Sequence, residues 1–443
     1  METPLTQRIR PNEEPLWISD YEKAGGYESV RHTLRSLRPQ DVQRLVTESN
    51  LRGRGGAGFP TGKKWSPVPM GPDATHPKYL VVNADEMEPG TFKDRLLLEG
   101  DPHQMIESMI VSGYAIEADV GYIFLRQEYR LAAARLHRAI SEASKHGYLG
   151  TNILGSGFNF EVHLHTSAGR YICGEETALL NALEGKRPIP RAKPPYPQVS
   201  GLWGRPTVVQ NVETLYNVPH IVLRGVEWYR GLSHTKDGGT KLYGASGHVK
   251  RPGLWELPMG TTIREILHEH AGGMQDGYRF RGLLPGGAST AFLTEEHLDL
   301  PMDFDSIPKA GSRMGTGTMI VLDDATCPVG FMQNIEQFFA QESCGWCTPC
   351  RDGLPWVSLI LEGLEAGRGT LADLDLLKMH TRFLGPGKTY CALAPGAMDP
   401  LESAMKYFQQ DFARHIDQGR CPWKKAVSHP QSASAQIKSQ AEG

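Results

Sequence analysis

The chain has 443 residues, enough for two to four domains, and its 40% hydrophobic and 22% charged content is that of a folded protein. A net charge of −3 gives no electrostatic footprint for nucleic acid or an anionic membrane. No apolar run approaches the roughly 18 residues that cross a bilayer, and Met1–Arg8 lacks the apolar stretch of a secretory signal, so a cytoplasmic protein without direct membrane insertion is expected.

The first fifty residues read as a helical lead-in, with Asp41–Val46 amphipathic. Gly53 to Gly62 holds five glycines in ten residues, a density no regular element tolerates, so it is a backbone-exposing loop. Lys78–Asn83 is a buried strand running into the polar run Asn83–Glu88. Asp101-Pro102 pairs an N-cap with proline at the first position of a helix that reaches Ala115. Gly121–Leu125 is the next strand, and strand, helix, strand at this spacing predicts a βαβ crossover in a parallel sheet. Glu128–His146 carries Leu131, Leu136 and Ile140 at helical spacing and stops at Gly147. Phe158–His165 alternates as a strand, with His163 and His165 on its wetter face and no third ligand nearby to make them a metal site. A helix starts at Gly174. Arg187–Pro206 is a proline-rich loop, long enough to be functional, and ordered by Tyr196 and Trp203. Beyond Gly231, a strand at Lys241–Val249 and a helix from Thr262 predict a small α+β domain ending near Leu322. From Pro328, helices at 329–341, 354–366, 371–383 and 398–416 predict a bundle, followed by a Ser-, Gln- and Ala-rich tail expected to fray.

Chemistry concentrates in two places. Cys344, Cys347 and Cys350 stand at Cys-x2-Cys-x2-Cys spacing, and Cys391 follows 40 residues later. Three thiolates from one tight loop and a fourth from a remote one are a recurring way to hold a [4Fe–4S] cluster. Structural zinc is the rival, but it prefers two separated cysteine pairs. Cys173, Cys327 and Cys421 have no such partners in sequence and read as free thiols; a disulfide framework is not expected in a chain this long without a signal.

The glycine loop is neither a Walker-type phosphate loop nor preceded by the strand of a dinucleotide fingerprint. It does present Arg54, Lys63 and Lys64 among glycine N–H groups, which suits phosphates and flat rings. Asn83, Asp85, Glu86 and Glu88 offer acceptors for ribose hydroxyls or a flavin N–H, and Gly174-Glu175-Glu176 offers a helix N-terminus.

Four segments, Gly53–Trp65, Asn83–Asp94, Tyr171–Leu179 and Glu342–Gly353, together resemble the 51 kDa-type FMN- and NADH-binding subunits of respiratory complex I, the family of bacterial F subunits of the NADH-quinone oxidoreductases. The resemblance runs in family order from about Trp17 to Phe408. It implies an α/β plus α fold in three parts: a Rossmann-like FMN- and NADH-binding domain over 1–235, a ubiquitin-like (soluble-ligand-binding β-grasp) domain over 236–325, and a helical bundle carrying [4Fe–4S] over 326–425, with a flexible tail over 426–443.

The same resemblance implies the site. Gly53, Arg54, Gly55, Gly56, Ala57, Gly58, Phe59, Thr61, Gly62 and Lys64 would line the place shared by FMN and nicotinamide, with Phe59 stacking on the adenine side. Asn83, Asp85 and Glu86 would hold FMN and Glu88 NADH. Tyr171, Gly174, Glu175 and Glu176 would line the flavin and nicotinamide pocket, and Lys193 and Tyr196 would contact the nucleotide. Val209, Gln210, Asn211 and Thr214 complete the set. Here the family usually reads Val-Asn-Asn-Val-Glu-Thr, so Gln210 keeps the amide but adds a methylene that moves or removes its flavin contact. Cys344, Cys347, Cys350 and Cys391 would ligate the cluster.

The implied activity is NADH dehydrogenation within a proton-translocating quinone reductase. Hydride passes from NADH to FMN and single electrons leave through [4Fe–4S], so no protein group is catalytic in its own right. A thioredoxin-like [2Fe–2S] subunit and a large multi-cluster iron–sulfur subunit are the implied partners, in a peripheral arm at the inner face of the plasma membrane. The alternative within the chemistry is the diaphorase subunit of a soluble NAD-linked hydrogenase or formate dehydrogenase; the extra ferredoxin-type cysteines or thioredoxin-like domain of many such subunits are not seen in this sequence. The alternative outside it is a non-enzymatic module with structural zinc, which would leave the glycine loop and clustered carboxylates without a purpose.

Overall fold

Successive residues of one central strand serve two different cores. In the computed structural model, which describes residues 2–424, strand β1 (Tyr79–Ala84) places Leu80 and Val82 in one hydrophobic cluster and Tyr79 and Val81 in another. The two-residue period of a strand makes this division. The buried strand expected over 78–83 is thus covered on both faces.

β1 lies inside a four-stranded parallel sheet of order β3-β2-β1-β4, with β2 at Val120–Leu125, β3 at Glu161–Thr166 and β4 at Thr207–Asn211. The first face is covered by the helices Pro102–Ala115, Arg130–Lys145 and Val212–Arg224 and by a lead-in of three helices, Ile18–Lys23, Glu28–Ser36 and Pro39–Glu48. The expected start at Asp101 holds: its carboxylate accepts from the Gln104 N–H at 3.3 Å. The second face is packed against the C-terminal helices, with Phe124 and Val209 joining Leu354, Leu361 and Ala397 in one cluster. The bundle is therefore not a separate body but the second layer of the sheet.

A second four-stranded sheet, order β6-β5-β8-β7, is built from β5 (Thr240–Ser246), β6 (Gly253–Pro258), β7 (Phe280–Leu284) and β8 (Thr318–Asp323); β5 and β8 are parallel and the outer pairs antiparallel. The helix expected from Thr262 is only Ile263–Glu265, capped by a Thr262–Glu265 box, and continues as a π turn to His270.

Among the described residues the bundle has five helices where four are predicted: Pro328–Glu342, Thr348–Glu365, Leu371–Phe383, Leu393–Tyr407 and Gln409–Gln418. The expected single helix over 398–416 breaks because Phe408 leaves helical backbone geometry (φ −116°, ψ 27°) and turns its ring edge-on to Phe292 at 5.2 Å in the core. Strand β3 also starts three residues later than the alternation predicts, since Phe158 and Phe160 stack on each other at 5.8 Å instead of extending it. Of the two histidines on the wetter face, His163 is exposed, whereas His165 is half-buried and stacks on Phe124 at 5.3 Å. The expected tail over 426–443 lies outside the described residues. Among the described residues, no helix is long and apolar enough to cross a membrane.

Candidate functional site

The chain adds β2 and β3 on one side of β1 and later returns to place β4 on the other. In open α/β sheets the crevice at such a switch point, at the carboxyl ends of the strands, is where ligands bind. The residues there are the last of β1 and β4 and the loops after them: Asn83, Asp85 and Glu86 on one side, Gln210 and Asn211 on the other, with Asn83 opposite Asn211 in register.

The glycine loop is fixed against this crevice from inside. The Arg54 N–H donates to Thr214 Oγ1 at 2.8 Å, and the wholly buried Arg54 guanidinium reaches the carbonyls of Gly238 and Thr240 at 2.8 and 3.2 Å. Arg54 is thus the anchor of the loop, with its side chain turned away from the surface. Gly55 lies so close to Asn211 that a Cβ would sit 3.1 Å from the asparagine's own Cβ, and at Gly58 (φ +64°) one would strike the Phe304 ring at 2.2 Å. Both positions therefore need glycine for close approach, and Gly62 is likewise closed by Thr47, at 2.2 Å. Phe59 and Ala57 remain exposed at the tip, while Thr61 is buried.

Two polar atoms at the switch point are buried without a partner: Asp85 Oδ2 and Gln210 Nε2. The other Asp85 oxygen accepts from Ser167 Oγ at 3.0 Å, and burial pushes its carboxyl up to about 7 against the opposing pull of that bond and of Arg126. Orphaned buried groups are costly and are explained by a missing partner. Gly174 leaves nothing within 4 Å of a would-be Cβ, so the crevice is open on that side. A carboxyl and an amide left unpartnered near the carboxyl ends of β1 and β4 are groups that a heterocycle with N–H and C=O edges, such as the flavin of FMN, would match.

Glu86 is differently employed. Its two oxygens accept the N–H groups of Lys93, Asp94 and Arg95 at 2.9–3.2 Å and the Tyr129 hydroxyl at 3.0 Å, capping the helix Lys93–Gly100. Burial, reinforced by Asp94, raises it to about 7. Glu88 accepts from Tyr171 Oη at 2.7 Å and from the Ser289 N–H at 2.6 Å, the latter from the small domain.

A chain of charges forms the outer wall. Glu175 caps the helix Glu176–Leu183 through the N–H groups of Thr177 and Ala178 and meets Lys193 at 3.1 Å; Glu176 lies between Lys193 at 2.8 Å and Lys64 at 2.7 Å. Burial opposes ionisation of Glu176, but the two ammonium groups outweigh it and hold the carboxyl below its usual range. Tyr196 is exposed beside the same loop, and Val209 is buried in the sheet.

Sequence reasoning missed Ser167, Ser289 and Glu342, whose carboxylate accepts the Tyr171 N–H at 2.9 Å. No local pattern marks Ser167 or Ser289, whereas Glu342 opens the Glu342–Gly353 segment. It also missed a buried network in which Lys93 meets Asp94 at 2.7 Å and Glu213 at 2.9 Å, and Lys241 meets Glu213 at 2.9 Å. Here a signal existed, because Lys93 and Asp94 close the Asn83–Asp94 motif.

The four cysteines converge on a cavity that Ile172 and Pro190 also line. Cys347 and Cys350 begin the helix Thr348–Glu365, Gly345 (φ +72°) turns the loop, and Arg187 holds the Cys344 carbonyl at 2.7 Å. Burial pushes the free thiols of Cys350 and Cys391 up to about 12 and about 11, a cost that bonding to iron removes. Three thiols from one tight turn and a fourth from a remote loop, gathered round one cavity, are a recurring way to hold a cubane. The donor set fits the cluster.

The same three regions match known families. Residues 46–220 match the Nuo51 FMN-binding domain, 245–293 the SLBB domain, and 330–415 the NADH-ubiquinone oxidoreductase-F iron-sulfur binding region. The F subunits of the NADH-quinone oxidoreductases of Escherichia coli and Salmonella typhimurium are each 57% identical over 415 residues, covering 94% of this chain and 93% of theirs; that of Mycobacterium tuberculosis is 46% identical over 427 residues, 95% of each. Among solved structures, a chain of the NAD+-reducing [NiFe]-hydrogenase in its air-oxidized state superposes with a TM-score of 0.78 at 36% identity; it matches 88% of this chain, which spans only 65% of the hydrogenase chain. With this identity along nearly its whole length, the chain belongs to the family of NADH-quinone oxidoreductase F subunits.

Proposed function

We propose that this chain is the electron-entry subunit of an NADH:quinone oxidoreductase. Bound FMN would supply hydride acceptance from NADH and one-electron release, and a [4Fe–4S] cluster would supply the one-electron acceptor. The observation that carries this reading is the pair of unpartnered atoms, Asp85 Oδ2 and Gln210 Nε2, at a switch point joined to the cysteine cavity by one short segment. That segment is Tyr171–Gly174: the Asn83 amide donates to the Gly174 carbonyl at 3.1 Å at one end, and Ile172 lines the cysteine cavity in between.

Asp85, Gln210, Asn83 and Asn211 would hold the flavin, and Cys344, Cys347, Cys350 and Cys391 the cluster. Gly53, Gly56, Phe59, Glu88, Tyr171, Glu176, Lys193 and Tyr196 would receive the dinucleotide; Arg54, Glu86 and Thr214 would act by positioning the backbone that lines it. In the three-part division at about 235 and 325, with Rossmann-like and ubiquitin-like domains ahead of the bundle, the two strand orders and the small domain's own hydrophobic cluster support setting the small domain apart. A thioredoxin-like [2Fe–2S] subunit and a multi-cluster subunit would take the electrons onward, in a peripheral arm at the inner face of the plasma membrane.

Anaerobic purification with flavin and iron analysis, followed by low-temperature EPR after NADH addition, tests the reading. One FMN, four irons and an NADH-reducible cluster are expected, and Cys391→Ser should lose the cluster signal while keeping flavin. A colourless chain without flavin overturns it.

A further inference from the structure

Cys327 and Cys421, which the sequence leaves as unrelated free thiols, come together in the fold with two further metal-ligating side chains. Cys327 Sγ, a Glu365 carboxylate oxygen, a His415 ring nitrogen and Cys421 Sγ all lie within 4.8 Å of one another. They stand at four separate chain positions around one end of the bundle. Cys327 caps the helix Pro328–Glu342, its sulfur accepting the Gly330 N–H at 3.3 Å; Glu365 ends the next helix; His415 is near the end of the last; and Cys421 follows that helix's left-handed turn at Gly419. The turns after Glu365 and after His415 press backbone to backbone, since a Cβ on Gly367 would sit 2.0 Å from the Gly419 carbonyl oxygen. The convergence is thus set by the main chain and not by side-chain chance.

From this geometry we infer that Cys327, Glu365, His415 and Cys421 form a second metal centre, distinct from the [4Fe–4S] site, that takes a borderline-soft divalent cation of the zinc class. Three of the donors are already mutually close: Cys327 Sγ to Glu365 Oε1 2.9 Å, Cys327 Sγ to His415 Nε2 3.3 Å, and His415 Nε2 to Glu365 Oε1 3.1 Å. Donors on a tetrahedral zinc stand roughly 3.3–3.8 Å apart, so the set closes on an ion with small side-chain movements. Two thiolates, an imidazole and a carboxylate are ligands zinc accepts, whereas a hard ion such as Mg2+ or Ca2+ would reject the sulfurs.

The surroundings orient these ligands. His415 Nδ1 is 2.7 Å from the Asp411 carbonyl oxygen, which can only accept, so Nδ1 carries a proton, and Nε2, which faces the Glu365 oxygen, is the nitrogen a cation would take. The second Glu365 oxygen is held by Lys424 at 2.8 Å, and the Trp423 ring lies nearly parallel to His415 at 6.0 Å. A donated ring N–H and a bonded carboxylate are the usual outer partners of a ligand set. His415 is fully buried and Cys421 2% exposed, while Cys327 and the Lys424 side chain reach the surface and give an ion a way in. Binding is an acid–base exchange: the cation displaces the two thiol protons and the proton held between His415 Nε2 and Glu365, all of which are released, and nothing is oxidised or reduced.

The test uses the full chain, purified anaerobically with its cluster and flavin. Elemental analysis should find one zinc per chain besides four irons, and zinc K-edge absorption fine structure should show two sulfurs and two lighter atoms. Cys327→Ser and His415→Ala should each lose the zinc while iron and flavin contents stay at the wild-type level. The wild-type spectrum decides the matter even if a variant fails to fold. A chain that keeps iron and flavin but takes up no zinc after incubation with Zn2+ under reducing conditions overturns the inference. So does a zinc shell of four sulfurs, which would place the ion on the cluster cysteines, or a peptide mass showing Cys327 and Cys421 joined as a disulfide.

Discussion

The Tyr171 hydroxyl donates to Glu88 at 2.7 Å and so ties the segment leading to the cluster to the loop that follows β1. The other Glu88 oxygen takes the Ser289 N–H, and Gly287 packs so tightly that a Cβ there would meet the Glu88 side chain at 2.5 Å. One carboxylate therefore joins the parallel sheet, the small domain and the bundle side. Burial raises the Glu88 carboxyl, and its two hydrogen-bond partners oppose the rise. Tyr171→Phe removes one of the two donors without opening a cavity. A loss of about 1.5–3 kcal/mol is expected, the range for a hydrogen bond to a charged group, and it would show as a lower thermal midpoint at neutral pH. A midpoint equal to that of the unsubstituted chain would refute the role given to this bond.

Glu176 is the one acid that separates two ammonium groups at the outer wall, Lys64 and Lys193. Neutralising it removes a negative charge that would repel a 2′-phosphate and frees Lys64 to attract one, while Lys193 keeps Glu175. Glu176→Gln should therefore raise the NADPH-to-NADH ratio of kcat/KM by on the order of tenfold, equivalent to about 1.4 kcal/mol. The effect should shrink with added salt because the lysines are partly exposed. An unchanged ratio would show that this carboxylate takes no part in discrimination.

How far the sequence carries can be read from particular residues. The strand Tyr79–Ala84, the capped helix at Asp101 and the cysteine spacing are local signals, and local propensity and spacing sufficed for them. Glu86 was legible as an acid near the loop but not as the cap of the helix seven residues on, because that depends on where the chain turns after Gly90. Ser289 meets Glu88 across about 200 positions, a contact only tertiary packing creates. The same holds for Cys327 and His415, 88 positions apart. Phe408, which breaks a predicted helix, has no helix-breaking chemistry of its own and does so to fill the core beside Phe292.

The raised carboxyls at the switch point give the cofactor-free chain a pH dependence of definite sign. Asp85 rises from 3.8 to about 7 through burial, with Ser167 and Arg126 pulling it down and Glu128 and Glu342 pushing it up. An acid whose folded value exceeds its unfolded one binds more protons when folded, so stability is highest below the unfolded value and is lost as pH rises from about 4 to about 7. The cost of ionising Asp85 in place amounts to ~2–4 kcal/mol at pH 8. Asp85→Asn should flatten this slope and be the more stable protein at pH 8 when flavin-free. Denaturant unfolding of the deflavinated chains at pH 5 and pH 8 checks both; parallel losses in the two proteins would contradict the assignment.

Gln210 offers a test in which folding and binding move in opposite directions. It stands beside Val82 in the β1–β4 ladder, 5% exposed, with Nε2 buried and unmatched. A family asparagine at this position would be one methylene shorter, yet the longer amide still ends without a partner among the described residues. Gln210→Met keeps the length and volume and deletes the orphaned donor. In the flavin-free chain this should cost nothing or stabilise by about 1 kcal/mol, since an unsatisfied buried group disappears. If FMN is the missing partner, the same change removes a bond from the complex, and flavin affinity should fall by about tenfold, or 1.4 kcal/mol. Fluorescence titration of the deflavinated protein with FMN measures the second effect, and thermal unfolding of that protein measures the first. Unaltered affinity together with raised stability would mean that the flavin leaves this amide unpaired, and that the donor it needs is supplied from elsewhere in the crevice.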